Sequence, residues 1–223
     1  MSLRSQIVFA ALVCTVAASA QVINNGVLDS FQVRYAASLT NGDAYVDITN
    51  NGASIPAGNN GNLCVNAYAF DASEEMLACC ACSVTPNGLV SMSVLHSLVA
   101  NPFGNATVFG SKVSSLRPMI SPVTTPPPPS IVVKLVATSN QGAACSAVNI
   151  TAAELAPGMR AWGTTLHSTP AGLQIAETPF GVSQLSAAEL AHLTSFCAFI
   201  TPSQTSPGLS GYGICGGCTT GGL

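Results

Sequence analysis

Cysteine is the residue type in this 223-residue chain whose number and spacing point most directly to chemistry. "CCACSVTPNG", residues 79–88, carries Cys79, Cys80 and Cys82 just before a turn signal, and the terminal "CGGC" carries Cys215 and Cys218. Cys64, Cys145 and Cys197 complete an even set of eight once Cys14, near the N-terminus, is set aside. Three chemistries use such residues: a disulfide framework, a tetrahedral metal centre, or a reactive thiol. On an extended segment Cys80 and Cys82 project to one side and Cys79 to the other, so the three thiolates do not converge on one ion. The C-x-C pair still resembles metal-binding fragments, with Cys64 and three histidines available elsewhere to complete a site.

A redox C-x-x-C needs its first thiolate stabilised, commonly at a helix N-terminus. Only Thr-Thr-Gly-Gly-Leu follows Cys218. The disulfide reading is therefore favoured for all eight, as clamps on loops and termini. A direct Cys79–Cys80 bond would need a strained ring. The expected partners are Cys197 with Cys215 or Cys218, and Cys64 with one of Cys79, Cys80 and Cys82. The set also divides four and four about residue 140, which would let each part close internally.

The other reactive side chains form no motif. His96, His167 and His192 are scattered, and "GLSGYG" places Ser210 among glycines without the G-x-S-x-G spacing of a nucleophile elbow. Glu74 and Glu75 read as solvated loop acids. "GNNGN" lacks the lysine and helix of a phosphate loop. No catalytic residue, metal site or cofactor is assigned. Asn105-Ala-Thr107 and Asn149-Ile-Thr151 fit a glycosylation sequon, which matters only in a host that glycosylates exported chains.

The N-terminus supplies the compartment in which the thiols should be oxidised. Residues 1–20 carry Arg4, an apolar run from Ile7 to Val16, and the small residues Ala18-Ser19-Ala20 before Gln21. That is the pattern of a secretory signal peptide, with the mature chain starting at Gln21. The run is too short to span a bilayer core of about 30 Å, and no later stretch predicts a membrane span. A secreted, extracellular or periplasmic location follows, where disulfides persist.

Beyond residue 20 the bases are Arg34, Lys112, Arg117, Lys134 and Arg160, scattered along the chain and outnumbered by nine acids. Nucleic-acid binding is excluded as a reading, because phosphate backbones require clustered cations. Charged residues make up only 7% of the chain, so copies repel one another weakly. Self-association, or a place in an extracellular matrix or cell envelope, is compatible with such a surface. An ordinary neutral secreted domain is the preferred reading.

Strand signals dominate residues 21–138. "FQVRYAAS" and "AYVDITNNG" flank Thr40-Asn41-Gly42-Asp43 and predict a hairpin, with Tyr45, Asp47 and Thr49 opposed to Val46 and Ile48. "MLACCACSV" and "LVSMSVL" flank Thr85-Pro86-Asn87-Gly88 and predict another. A proline-rich loop, 117–130, leads into "IVVKLVATS", expected as the last strand of an Ig-like antiparallel β-sandwich. An interdomain linker is the competing reading of the prolines.

Residues 139–223 read as a smaller, disulfide-closed α+β part. "TAAELAPG" predicts a single turn between Thr151 and Pro157, and "RAWGTTLHS" and "LQIAETPFG" predict two strands joined by "TPAG". "LSAAELAHLTSFCAFI" predicts the clearest helix, with a Ser186/Glu189 capping box, a Leu185–Leu190 staple and a buried stripe of Leu190, Leu193, Cys197 and Ile200.

The stretches "NLCVNAYAFDASEEMLACCACSVTPNGLVSMSV", "IVVKLVAT", "LAPGMRAWGTTLH" and "LSAAELAHLTSFCAFI", with "GICGGC", resemble an uncharacterised group of secreted, cysteine-rich bacterial proteins. The resemblance covers nearly all of the chain after residue 20. It implies an exported, cysteine-paired product and transfers no activity or catalytic residue. The expected function is thus a non-catalytic extracellular or cell-envelope protein with a structural or binding role. The alternative is a secreted enzyme or metal-dependent factor whose site is assembled from distant residues.

Overall fold

The computed structural model describes residues 21–24, 26–54, 60–99, 129–139, 145–201 and 219–220. Strands run Phe31–Ala37 (β1), Ala44–Asn50 (β2), Leu63–Phe70 (β3), Met76–Val84 (β4), Leu89–Ser93 (β5), Ser130–Ser139 (β6), Met159–Thr169 (β7), Gly172–Pro179 (β8), Gly181–Val182 (β9) and Thr219–Thr220 (β10). Ala187–Ile200 forms the α-helix, α1. The fold is mainly β, as the periodicity predicts.

Two antiparallel five-stranded sheets are present, in the orders β4-β3-β6-β1-β9 and β10-β5-β2-β7-β8. They share one core. From β2 it takes Val46 and Ile48, from β3 Leu63 and Val65, from β6 Leu135, and from β7 Met159. The predicted alternation of β2 holds, with Ala44, Val46, Ile48 and Asn50 buried and the residues between them partly open.

Every residue of β3 is buried. A strand can be covered on both faces only if something packs on each. Here the second sheet covers one face and α1 the other, where Tyr68, Phe70 and Cys79 meet Leu190, Leu193 and Cys197. The first sheet is therefore the middle layer of three. Ser186 caps the helix by accepting from the Glu189 amide at 3.0 Å, while the Glu189 carboxylate turns to Lys134 at 2.6 Å instead of back to the cap. Leu185 and Leu190 share the cluster as a staple does. Leu190, Leu193 and Cys197 are buried as predicted, while Ile200 is only partly covered.

Both hairpins expected in residues 21–138 are corrected. β1 pairs with β6 and β9, and β2 with β5 and β7, so the 38–43 connection carries the chain from one sheet to the other. Leu39, buried in the shared core, bonds through its amide to the Pro129 carbonyl near β6, whereas the Asp43 carbonyl accepts from Leu166 in β7. Likewise the turn at 85–88 forms, with Asn87 at φ 59° and the Gly88 amide on the Thr85 carbonyl, yet β4 and β5 lie in different sheets. Cys82 Sγ meets Met92 Sδ across the core at 3.8 Å. Turn residues specify that the chain reverses; burial of both inner faces decides that it reverses beneath its predecessor instead of beside it.

β6 is central in its sheet, between β3 and β1, not the last strand. β7 and β8 do form a hairpin, through Pro170-Ala171, and extend the second sheet. Strands from both sides of residue 139 thus share sheets. Thr151 and Glu154 bracket one 3-10 turn, Ala152–Glu154. Of the proline-rich 117–130 loop, only residues 129 and 130 lie among those described.

Candidate functional site

The cysteines occupy three different situations. Cys64, on the outward face of β3, is bonded to Cys145, with Cα atoms 5.4 Å apart. Cys79, on the same face of β4, is bonded to Cys197 of α1, with Cα atoms 5.8 Å apart. Cys80 and Cys82 project to the opposite side, as an extended strand requires, and are also disulfide-bonded. Cys215 and Cys218 lie outside the described residues, although β10 sets the backbone just after Cys218 against Ser91 and Val90.

Two expected pairings are corrected. Cys64 does not bond within the Cys79 to Cys82 group, and Cys197 does not bond to the tail. The inward stripe of α1 was legible, but the stripe packs on β4 and β3, so the nearest sulfur is Cys79. Both bridges join residues on opposite sides of residue 140, so the even division did not reflect closure of each part.

The histidines do not gather. His96 is exposed, and its amide donates to Ser93 Oγ. His192 lies against the Phe70 and Phe196 rings on the helix side, and His167 is in β7. Among the described residues no three His, Cys, Asp or Glu side chains are grouped to hold a metal ion. Glu74 and Glu75 are exposed beside a turn in which Asp71 Oδ1 accepts from the Ser73 and Glu75 amides. Asn149 is exposed, and Asn105 and Ser210 lie outside the described residues.

Two polar arrangements escaped the sequence reading. On the outer face of the second sheet, Asp47 accepts from Ser91 Oγ at 2.6 Å and from Thr164 Oγ1 at 2.9 Å. Asp43 accepts from Ser93 Oγ and from the Ala44 and Leu95 amides. Burial, then Asp43 and Asp47, push the Tyr45 phenol above its usual range. Hydroxyls held by these carboxylates are oriented across β5, β2 and β7. This ladder binds strands together.

The second arrangement lies where β1 faces β7. Arg34 Nη2 donates to Thr165 Oγ1 at 3.1 Å. A Cβ added at Gly163 would stand 1.0 Å from Arg34 Nη1, so β7 has a glycine where the guanidinium lies on its backbone. Burial lowers the Arg34 pKa, and Asp47 acts in the opposite sense. Two residues along, on the same face as Thr165, His167 has a buried Nε2 with no hydrogen-bond partner. The available signal was a lone arginine on the inward face of a strand and a glycine inside another; neither names its partner.

Compared with family models, with curated proteins and with solved structures, the chain matches none.

Proposed function

We propose that this chain is an exported extracellular or cell-envelope protein with a non-catalytic structural or binding role, built on an Ig-like sandwich. The observation that carries the reading is the pair of bridges that fasten an outer layer onto one sheet: Cys79 to α1 and Cys64 to the loop at Cys145. Bonds of this kind persist where the surroundings are oxidising. The signal-like segment at 1–20, and the resemblance to exported cysteine-rich bacterial proteins, agree with it. Scarce charge suits a surface that assembles with copies of itself or with a matrix.

Expression with the native leader in a bacterial host tests this. The expected product is recovered outside the cytoplasm, begins at Gln21 and resists thiol alkylation until reduced. Peptide mapping without reduction should return Cys64 linked to Cys145 and Cys79 linked to Cys197. A cytoplasmic product with freely alkylated cysteines refutes the reading.

A further inference from the structure

We infer that the outer edge of β8 is a self-association surface, on which a second copy of this chain pairs antiparallel about a two-fold axis through Ile175. Sheet edges expose rows of backbone donors and acceptors, and proteins ordinarily blunt them with lysine, proline, a bulge, a very short strand or a covering layer. The other three edges are treated so: β9 and β10 are two residues long, and β4 is largely buried and tied to α1 through Cys79–Cys197. Along its length β8 has none of these devices. It runs eight residues in continuous register with β7, carries no lysine or arginine, and is exposed at every position, Leu173 by 61% and Ile175 by 66%. Its proline, Pro179, is the last residue. Among the described residues β8 pairs with β7 alone.

Which backbone groups face outward follows from the ladder. The Phe180 amide donates to the Ala161 carbonyl, so Thr178, Ala176 and Gln174 also turn toward β7, while Leu173, Ile175 and Glu177 turn their N–H and C=O groups away. Setting Ile175 opposite its own copy places Leu173 opposite Glu177 of the other copy and lets these residues exchange about six backbone hydrogen bonds. The side chains agree with that register. β8 has one charge, Glu177, and its two copies stand about 14 Å apart along the strands, beyond a screening length of about 8 Å at physiological salt. On the outer face Ile175 lies beside Leu166 of β7, so the join forms an apolar row of Leu166 and Ile175 from each copy. Shifting the axis to Ala176 halves the Glu177 separation and sets Pro179, which has no N–H, opposite Leu173. With both faces of β8 exposed, an added strand meets no second layer, and a net charge of −3 resists the approach of copies only weakly.

This deepens the reading above, resting on its assembly with copies and not on export. One strand edge is a small contact, so sedimentation equilibrium on the purified, oxidised chain is expected to show a reversible monomer–dimer equilibrium between about 1 µM and about 1 mM. Amide exchange at Leu173, Ile175 and Glu177 should slow as the concentration rises, whereas Gln174 and Ala176, already turned to β7, should not change. Leu173→Glu alters an exposed side chain, sets a carboxylate opposite Glu177 of the other copy, and is expected to weaken the dimer about tenfold. Adding Glu177→Lys turns each facing pair into opposite charges and is expected to restore it. Ile175→Pro removes an outward N–H without touching the β7 ladder and is expected to abolish association. If it disturbs the hairpin, the two charge variants, checked for native sheet content by circular dichroism, carry the test. A monomer at about 1 mM, protection of the three amides that dilution leaves unchanged, or a dimer indifferent to Leu173→Glu overturns the inference. An exported, bridged monomer would thus refute it and leave the export reading intact.

Discussion

Tyr68 shows how much one polar atom in an apolar layer can decide. Its ring is fully buried under α1, and its hydroxyl donates to the Ala147 carbonyl at 2.8 Å, holding the segment after Cys145 against β3. Burial raises the phenol far above its ordinary value. The folded chain therefore keeps a proton that the unfolded chain releases above pH about 10. The contribution is intact below that pH and is lost as the pH rises. Tyr68→Phe is expected to cost about 1 kcal/mol at neutral pH, by leaving the Ala147 carbonyl unpaired. The same variant should lose stability less steeply as the pH is raised past about 10 to about 11. The slope should not vanish, because Tyr45, raised by burial, Asp43 and Asp47, remains with the same sign. Urea unfolding at the two pH values measures both effects. By contrast Glu189→Gln, which breaks the partly exposed pair with Lys134, is expected to cost under about 1 kcal/mol.

At the scale of elements, α1 tests what a cap and a covalent tie each contribute. Ser186→Ala removes the acceptor for the Glu189 amide and is expected to cost about 1 kcal/mol. Replacing Cys79 and Cys197 together by alanine removes the bond to β4 and is expected to cost about 2 to 4 kcal/mol, below the chain-entropy value for its loop because Cys64–Cys145 still constrains the overlapping segment. Amide exchange over 187–200 should then speed up before that of β3 or β6, because a layer packed on one side opens at lower free energy than a doubly covered strand. The buried stripe of this helix was legible because its period faces a single surface. The alternation of β2 was legible for the same reason. What the turn signals did not carry was the choice between a partner beside the strand and one across the core. That choice rests on residues distant in sequence, β6 for β1 and β7 for β2. The approach of Arg34 to Gly163 was hidden likewise, since the two meet only when the two sheets face each other. Cys80 and Cys82 add a further expectation. Two residues apart on one strand, their side chains project in parallel about 6.7 Å apart and do not bridge each other. Mapping should find each joined to a different cysteine, Cys215 and Cys218 being those left in the chain beyond residue 20.

For the molecule as a whole, the question is whether the bridges hold up the core or only dress it. Cys64–Cys145 and Cys79–Cys197 close 81 and 118 residues, and in the chain-entropy account each is worth on the order of 4 to 5 kcal/mol. Taken alone that rivals the entire stability of an ordinary domain, about 5 to 15 kcal/mol. The two loops overlap in sequence, however, so the second constrains a chain already constrained by the first, and their effects sum to less than twice one. Their placement matters more. Both leave the outward face of the first sheet, toward α1 and the Cys145 loop, and neither spans the layer where Val46, Ile48, Leu63 and Leu135 pack. A chain of 223 residues buries enough apolar surface to keep such a core without covalent help. Replacing Cys64, Cys145, Cys79 and Cys197 together by alanine, with the bridges of Cys80 and Cys82 on the inner face kept, is therefore expected to make unfolding in denaturant proceed in two stages. First α1 and the 145–150 segment lose protection while the far-ultraviolet signature of the sheets persists; at higher denaturant the sheets are lost together. Circular dichroism and amide exchange on the same variant separate the stages, and a single transition in which sheet and helix disappear together would show that these two bridges hold the core itself.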